Sequence, residues 1–134
     1  MTTLTMVQST KKDRVIYWVF TALVFLADGL PAIFSNSQPA IDGIRHMGFP
    51  DYFRIELGVC KVIGGLLLIL PFIPNRIKEW VYVGFGISML SAALGHIVLG
   101  DPASMIAMPI IFFAILLTSY IYFHKTYARG VYNY

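Results

Sequence analysis

The sequence predicts an all-α fold, namely an integral membrane bundle of four helices that forms one domain of 134 residues. Three observations support this prediction. Hydrophobic residues make up 57% of the chain and charged residues only 13%, whereas a soluble domain carries roughly 25% charged residues. Four apolar stretches each reach about 20 residues, the length that a helix needs to cross the hydrocarbon core. Lysines and arginines collect at the ends of these stretches, as they do in membrane proteins.

The first apolar stretch covers residues 15–34 and follows Lys11, Lys12 and Arg14. A cleaved signal peptide has a shorter apolar region of about 7–15 residues, and this stretch also contains Asp28. We therefore expect the stretch to be retained as the first span. The spans must be helices, because the backbone finds no water inside a bilayer and the stretches lack the alternation of barrel strands.

The remaining spans are predicted at residues 52–72, 80–99 and 102–123. The last of them follows the pair Asp101 and Pro102, which provides an N-cap and then a proline at the first helical position. The fourth span is therefore expected to begin sharply after a very short outer turn.

The connection between the first and second spans is longer than a turn requires. Residues 38–47 carry Ile41, Ile44 and Met47 at helical spacing, and Gly48 can end a helix there. We expect a short helix that lies in the outer interface of the membrane.

Basic residues indicate the orientation of the spans. With four spans, the two tails and the second connection lie on one side of the membrane and carry seven basic residues, whereas the loops on the other side carry Arg45 alone. The seven are Lys11, Lys12, Arg14, Arg76, Lys78, Lys125 and Arg129. Because positively charged segments stay in the cytoplasm, we expect both termini to be cytoplasmic.

Composition also excludes several classes of function. The net charge is +3, but the basic residues do not form a stripe with interleaved aromatics, so we expect no nucleic-acid partner. The single cysteine, Cys60, excludes an internal disulfide and a self-contained CxxC redox pair. No nucleophile–base pair, metal set or phosphate loop is visible, so the sequence gives no self-contained reaction.

Small residues form faces on the second and third spans. They are Gly58, Gly64 and Gly65 on the second, and Gly84, Ser88, Ser91, Ala92 and Gly95 on the third. Such faces let helices pack closely in lipid. We expect them to serve packing within the chain, and a homo-oligomer interface is the alternative.

Five ionisable residues lie inside the predicted spans: Asp28, Arg54, Glu56, Lys61 and His96. A charge at membrane depth costs at least about 2.5–3.5 kcal/mol, so it normally faces the bundle interior and has a partner. At a rise of about 1.5 Å per residue all five fall in the outer half. The cytoplasmic half is expected to be apolar.

Helical spacing suggests how these groups pair. Arg54 and Lys61 share a stripe of the second span, so acids from elsewhere must lie between them. Asp28 is the obvious candidate and Asp101 the second one. His96 has no second histidine in a span and no cysteine cluster beside it, so no metal is expected.

Three interpretations of the polar residues remain open. The first is an Asp28–Lys61 pair that only fixes helix register, and the second is proton or ion movement. The third is a ligand- or partner-binding site, which would consist of Asp28, Arg54, Glu56, Lys61, His96 and Asp101.

Four segments resemble motifs of the DoxX-like family of small bacterial membrane proteins. Residues 46–53 (HMGFPDYF) are similar to its lead-in to the second helix, and residues 57–64 (LGVCKVIG) to its L-G-x-x-K-x-x-G segment. Residues 78–85 resemble its opening of helix three, and residues 92–102 (AALGHIVLGDP) its A-x-x-x-H-x-x-x-G-D-P end. The resemblance spans about residues 14–125.

The resemblance implies a four-helix protein of the bacterial inner membrane that is associated with quinone-linked redox processes, either alone or with partner subunits of a redox complex. The positions carried over are Lys61, His96, Asp101 and the turn at residues 48–50. The first helix departs from the family pattern, because Gly29 is not followed by the lysine expected there.

Two functional hypotheses follow. In the first, the chain is a non-catalytic or accessory membrane component whose outer pocket binds a quinone headgroup, another small amphiphile or a partner helix. Lys61 and His96 would then donate hydrogen bonds to a carbonyl oxygen while apolar walls hold a tail. In the second, the chain is a small proton-coupled transporter with Asp28 as the coupling acid.

Overall fold

The structure is a computed structural model that describes residues 10–128, and every regular element in that range is helical. Helix α1 (Lys11–Val24) continues through a π turn (Phe25–Gly29) into a 3₁₀ turn (Leu30–Phe34). The other helices are α2 (Gln38–His46), α3 (Asp51–Ile69), α4 (Asn75–Leu99) and α5 (Ala103–Phe123), followed by a second π turn (His124–Ala128). Arg129, expected in the cytoplasmic tail, lies outside the described residues.

Three helical stretches are long and apolar enough to cross a membrane: Lys11–Phe34, which we call the α1 segment, Asn75–Leu99 and Ala103–Tyr127. The all-helical fold and its membrane-compatible helices are therefore confirmed. Helix α3 differs from these three in the position of its charges, since Arg54, Glu56 and Lys61 lie inside the helix, whereas most charges of the other three lie at their ends. The short helix expected over residues 38–47 is present as α2.

Large apolar side chains cover the outside of α3, α4 and α5. Those at least half exposed include Ile55, Val59, Ile63, Val83, Ile87, Leu90, Leu94, Met108, and Ile111. A contiguous apolar surface of this kind is unfavourable in water and favourable against lipid. The arrangement of the side chains thus agrees with the composition.

The buried core lies where α1, the end of α3, the middle and start of α4 and the second half of α5 meet. Its members are Tyr17, Val24, Leu68, Tyr82, Phe85, Met89, Leu116 and Phe123. Three hydroxyl groups are buried with them, because the Ser119 Oγ lies 2.7 Å from both the Thr21 Oγ1 and the Tyr82 hydroxyl. Each of these polar groups therefore has a hydrogen-bond partner, which removes most of the cost of burying it.

Lys78 corrects the expectation that the half of the bundle near Lys11 and Arg76, which we expect to be cytoplasmic, is apolar. Its side chain is only 4% exposed, and its ammonium donates to the Leu68 carbonyl (3.1 Å) and the Tyr17 hydroxyl (3.3 Å). The Trp18 ring lies 5.6 Å from the same ammonium. The reason is that α4 begins at Asn75 rather than at residue 80, so Lys78 belongs to its first turn and faces α1 instead of an open connection.

Glycines set the distance between the α1 segment and α3. A methyl group built on Gly65 would lie 3.1 Å from the Gly29 Cα and 3.0 Å from the Phe25 ring, and one on Gly58 would lie 2.9 Å from the Ser35 Cβ. The two backbones therefore meet almost directly, as small residues allow in membrane helices. This close packing confirms the small-residue face predicted for α3.

Candidate functional site

A cavity of about 730 Å³ lies between the end of the α1 segment, α2, α3 and α4, and we call it the Lys61 groove. Its apolar lining includes Pro31, Phe34, Ile44, Met47, Phe49, Phe53, Leu57 and Ile87. Three basic side chains also line it, those of Arg54, Lys61 and His96. The groove thus combines apolar walls with a few placed polar groups, which is the usual composition of a small-molecule site.

The small-residue face of α4 does not pack as expected. Gly84, Ser88, Ser91 and Ala92 line the Lys61 groove, and a methyl group on Gly84 would meet nothing within 4 Å. This face therefore leaves space for the groove instead of closing a contact between helices. Further along the same face, Gly95 packs against the side chain of Met47, the residue that follows α2.

Asp28 and Lys61 form the ion pair that the sequence suggested. The Lys61 Nζ donates to the Asp28 Oδ1 at 2.8 Å, and the two side chains are 23% and 14% exposed. The close approach of Gly29 and Gly65 brings the two helices near enough for this contact. The partly buried charges therefore have the partner that their desolvation requires.

Asp28 belongs to the π turn that interrupts the α1 segment. Pro31 has no N–H to donate to the carbonyl four residues earlier, and its ring crowds that carbonyl. The helix widens just before it, so that the Leu30 N–H bonds to the Phe25 carbonyl five residues back. Single π turns of this kind occur frequently at functional sites.

A second cavity, of about 330 Å³, adjoins the ion pair on the side of α5. Lys61, Ser88 and His96 line both this cavity and the Lys61 groove, whereas Asp28 lines only the second. The Asp28 Oδ2 is buried and has no hydrogen-bond partner among the described residues. One oxygen of the carboxylate thus holds Lys61, and the other remains available as an acceptor.

Arg54 connects α3 to the chain that follows the α1 segment. Its Nη1 donates to the Ser35 carbonyl and, at 2.7 Å, to the Asn36 Oδ1. Its Nε is buried without a partner among the described residues. Arg54 therefore fixes the chain that follows the α1 segment, and its Nε remains a buried donor without a partner among the described residues.

Glu56 does not join the other predicted site residues. It is exposed on the opposite side of α3, as Cys60 is, and it lines neither of the two cavities. The stripe predicted for α3 explains this placement, because Arg54 and Lys61 lie on the face that Glu56 does not share.

Asp101 lies with histidines rather than between Arg54 and Lys61, which corrects its expected position. Its carboxylate accepts from the His96 Nδ1 at 2.6 Å and from the His46 Nε2 at 2.8 Å. Gly100 ends α4 with a φ of 71°, a conformation that glycine adopts without strain. The chain therefore reverses at once, and the carboxylate returns over the last turn of α4, where His96 lies.

Hydrogen bonds from the histidines stabilise the charged form of this carboxylate. The bonds from His96 and then His46 hold the pKa of the Asp101 carboxyl below its usual range. Its side chain is 9% exposed, against 17% for His96 and 46% for His46. Asp101 is therefore an ionised acceptor at neutral pH, shielded on one side and open toward His46.

His46 is the residue that sequence reasoning missed. It lies in a family-like motif but outside the predicted spans, so it had no assigned role. The His46 Nε2, the His96 Nδ1 and a carboxylate oxygen of Asp101 all lie within 4.8 Å of one another, a grouping that could hold a metal ion. The expectation of no metal considered only histidines inside the spans, whereas His46 lies outside them and close to His96. The occurrence of one histidine in each of two family-like motifs was the available signal.

The model of the DoxX-like family matches residues 16–119. The chain belongs to the DoxX-like family. The matched range of this DoxX-like protein includes the Lys61 groove, the Asp28–Lys61 pair and the three residues around Asp101. No curated protein and no solved structure matches the chain.

Proposed function

We propose that this DoxX-like protein crosses the bacterial inner membrane four times and binds a small amphiphile in the Lys61 groove. The single observation that carries the proposal is the convergence of Lys61, Arg54 and His96 on a mostly apolar cavity of about 730 Å³. Ligand pockets have volumes of about 300–1,000 Å³ and use a few polar groups to orient what they bind. The cavity has this size and this composition.

Helix α3 is the second span in chain order, and it brings the number of proposed spans to four. Its 19 residues give a length of about 28 Å at about 1.5 Å per residue, close to the hydrocarbon thickness of about 30 Å. Asp51, Arg54 and Glu56 lie in its first turns and can reach the membrane interface, and Lys61 is paired with Asp28. The charges of α3 are therefore compatible with a membrane-spanning helix.

With four spans, both termini lie on the side of Lys11, Arg76 and Lys125, which the distribution of basic residues assigns to the cytoplasm. The Lys61 groove and α2 then lie in the outer half of the bilayer. A ligand would enter from the outer leaflet or from the space beyond it.

The donors at the groove favour a ligand head with hydrogen-bond acceptors. Lys61 has three ammonium hydrogens, and its one hydrogen bond within the described residues goes to Asp28. The Arg54 Nε is a second donor without a partner in the part of the chain that the structure describes. A quinone has two carbonyl acceptors and an apolar tail, and it is the ligand class that we propose. The accessory role in quinone-linked redox processes is supported by the family resemblance.

Binding of a benzoquinone with a decyl tail to the purified chain in detergent tests the proposal. Ile87→Trp fills the groove, whereas Val83→Trp adds the same bulk one turn away at a residue that does not line it. We expect saturable binding that Ile87→Trp weakens about tenfold or more, which corresponds to about 1.4 kcal/mol, and that Val83→Trp leaves unchanged. Equal binding by the two variants, or equally tight binding of decanol, would contradict a groove site for quinones.

Labelling of single cysteines tests the topology. In a Cys60→Ser background, a membrane-impermeant maleimide should label Gln38→Cys from outside intact spheroplasts. Lys12→Cys and Arg76→Cys should react only in inverted vesicles. Labelling of Arg76→Cys from outside would show that α3 does not cross the membrane.

A further inference from the structure

We infer that His46, His96 and Asp101 form a binding site for a divalent transition-metal ion of the zinc type at the rim of the Lys61 groove. The site needs no ligand in the groove, so it is independent of the proposed quinone binding. It joins three parts of the fold, namely the last residue of α2, the last turn of α4 and the turn before α5.

The positions of the donor atoms support the inference. The His46 Nε2 and the His96 Nδ1 both face the Asp101 carboxylate, at 2.8 Å and 2.6 Å, and the three ligand atoms lie within 4.8 Å of one another. Zinc–nitrogen bonds of about 2.0–2.1 Å in a tetrahedral site place the ligand atoms roughly 3.3 Å apart. Each histidine nitrogen therefore needs to move roughly 0.5–0.7 Å away from the Asp101 oxygen to admit an ion, and the two nitrogens need to reach the same spacing from each other.

The types of donor favour a particular class of metal. Two imidazole nitrogens and one carboxylate suit zinc and other late first-row ions, whereas calcium and magnesium prefer oxygen ligands. Three protein ligands with an open fourth position are typical of zinc sites that also hold water or a small ligand. The open position falls on the side of His46, whose side chain is 46% exposed.

The charges around the site are compatible with a cation. Asp101 supplies one negative charge, and the neutral histidines add none. The nearest basic neighbour in sequence, Arg45, is directed away, since its guanidinium binds the Asp51 carboxylate at 2.9 Å. The alternative is a purely hydrogen-bonded latch between α2 and the α4–α5 turn, and it predicts no stoichiometric metal binding.

Zinc titration by calorimetry of the full chain tests the inference, with the affinity tag removed and residual metal stripped by a chelator. We expect one zinc ion per chain and a cobalt-substituted form with the intense visible bands of tetrahedral coordination. His46→Ala and His96→Ala should weaken binding by at least about tenfold, since even partners outside the ligand set cost about 10–100-fold when removed.

The chain offers a matched control in its third histidine. His124 lies at the other end of the bundle, where its Nε2 is 3.1 Å from the Glu79 carboxylate, and His124→Ala should bind zinc like the unaltered chain. Because His46 is exposed, His46→Ala keeps the fold testable even if His96→Ala unfolds. Zinc binding that is absent in the unaltered chain, or unchanged in His46→Ala, would overturn the site. Neither result would affect the quinone assay.

Discussion

The Lys61 Nζ lies 2.8 Å from the Asp28 Oδ1, and the pair joins α3 to the π turn of the α1 segment. The contact depends on the backbone, because Gly29 and Gly65 allow the two helices to approach until a methyl group would not fit comfortably between them. The ion pair is thus held in place by helix packing, and its lysine lines both the Lys61 groove and the smaller cavity beside α5.

Replacing Lys61 alone leaves Asp28 partly buried without its cation. We expect Lys61→Met to lower the free energy of unfolding by about 2 kcal/mol, less than the about 3–5 kcal/mol of a fully buried pair, because both side chains keep some exposure. The double variant Asp28→Asn, Lys61→Met should recover most of this loss. Thermal unfolding in detergent measures both, and equal losses would show that the ion pair is not the cause.

Replacing glycine by alanine should change stability in opposite directions at Gly65 and at Gly84. Gly65→Ala should destabilise the chain by about 1–3 kcal/mol through overpacking, because the new methyl group meets the Gly29 backbone at 3.1 Å. Gly84→Ala should stabilise it by about 0.5–1 kcal/mol through the helix preference of alanine, since nothing lies within 4 Å. A loss of stability of similar size in both variants would contradict the close approach of the α1 segment and α3.

The buried hydroxyl cluster predicts a large difference between adjacent residues of α5. Ser119→Ala removes the group that the Thr21 and Tyr82 hydroxyls share, at a cost of about 1–3 kcal/mol. Thr118→Ala removes only a bond to the Ala114 carbonyl and should change stability by less than about 0.5 kcal/mol. Chemical denaturation of the two variants in parallel decides whether the cluster contributes to stability.

The Arg45–Asp51 pair lies at the membrane interface, just ahead of the span predicted at residues 52–72, and it predicts a pH dependence of stability. The hydrogen bond from Arg45 holds the pKa of the Asp51 carboxyl below its usual range. A carboxyl group with a lowered pKa stabilises the folded chain at pH values above the ordinary aspartate pKa of about 4. This stabilisation is lost as the pH falls through the pKa of the folded state. Asp51→Asn should therefore be less stable than the unaltered chain at neutral pH, and the difference should vanish in acid.

Unfolding midpoints measured across this pH range test the prediction. Asp42→Asn is the control, because the Asp42 carboxylate accepts from Gln38 instead of an arginine. A difference between Asp51→Asn and the unaltered chain that persists in acid would point to a cause other than the Arg45 contact.

Local patterns in the sequence were sufficient for part of this fold. Apolar length predicted the helices, helical spacing predicted α2, and the spacing of polar residues along α1 and α3 paired Asp28 with Lys61. Each of these features depends on the period of a helix or on the cost of a charge in lipid, and both can be evaluated from one segment at a time.

The remaining features depend on turns and on contacts between distant segments. Asp101 reaches His96 because Gly100 adopts a positive φ, and His46 reaches Asp101 only after the chain folds α2 back toward α4. Lys78 is buried because α4 begins five residues earlier than its apolar stretch. The spacing of apolar residues predicts neither turns nor contacts between distant segments. The role of His46 and the burial of Lys78 were therefore missed.

Helix α2 contributes to the wall of the Lys61 groove without contributing to the buried core. None of its residues is buried, yet Ala40, Gly43 and Ile44 line the Lys61 groove. Substitutions there would reshape the cavity without disturbing the contacts that hold α1, α3, α4 and α5 together. Under the proposed function, changes in this one helix would alter which ligand fits the Lys61 groove while the scaffold of α1, α3, α4 and α5 remains the same.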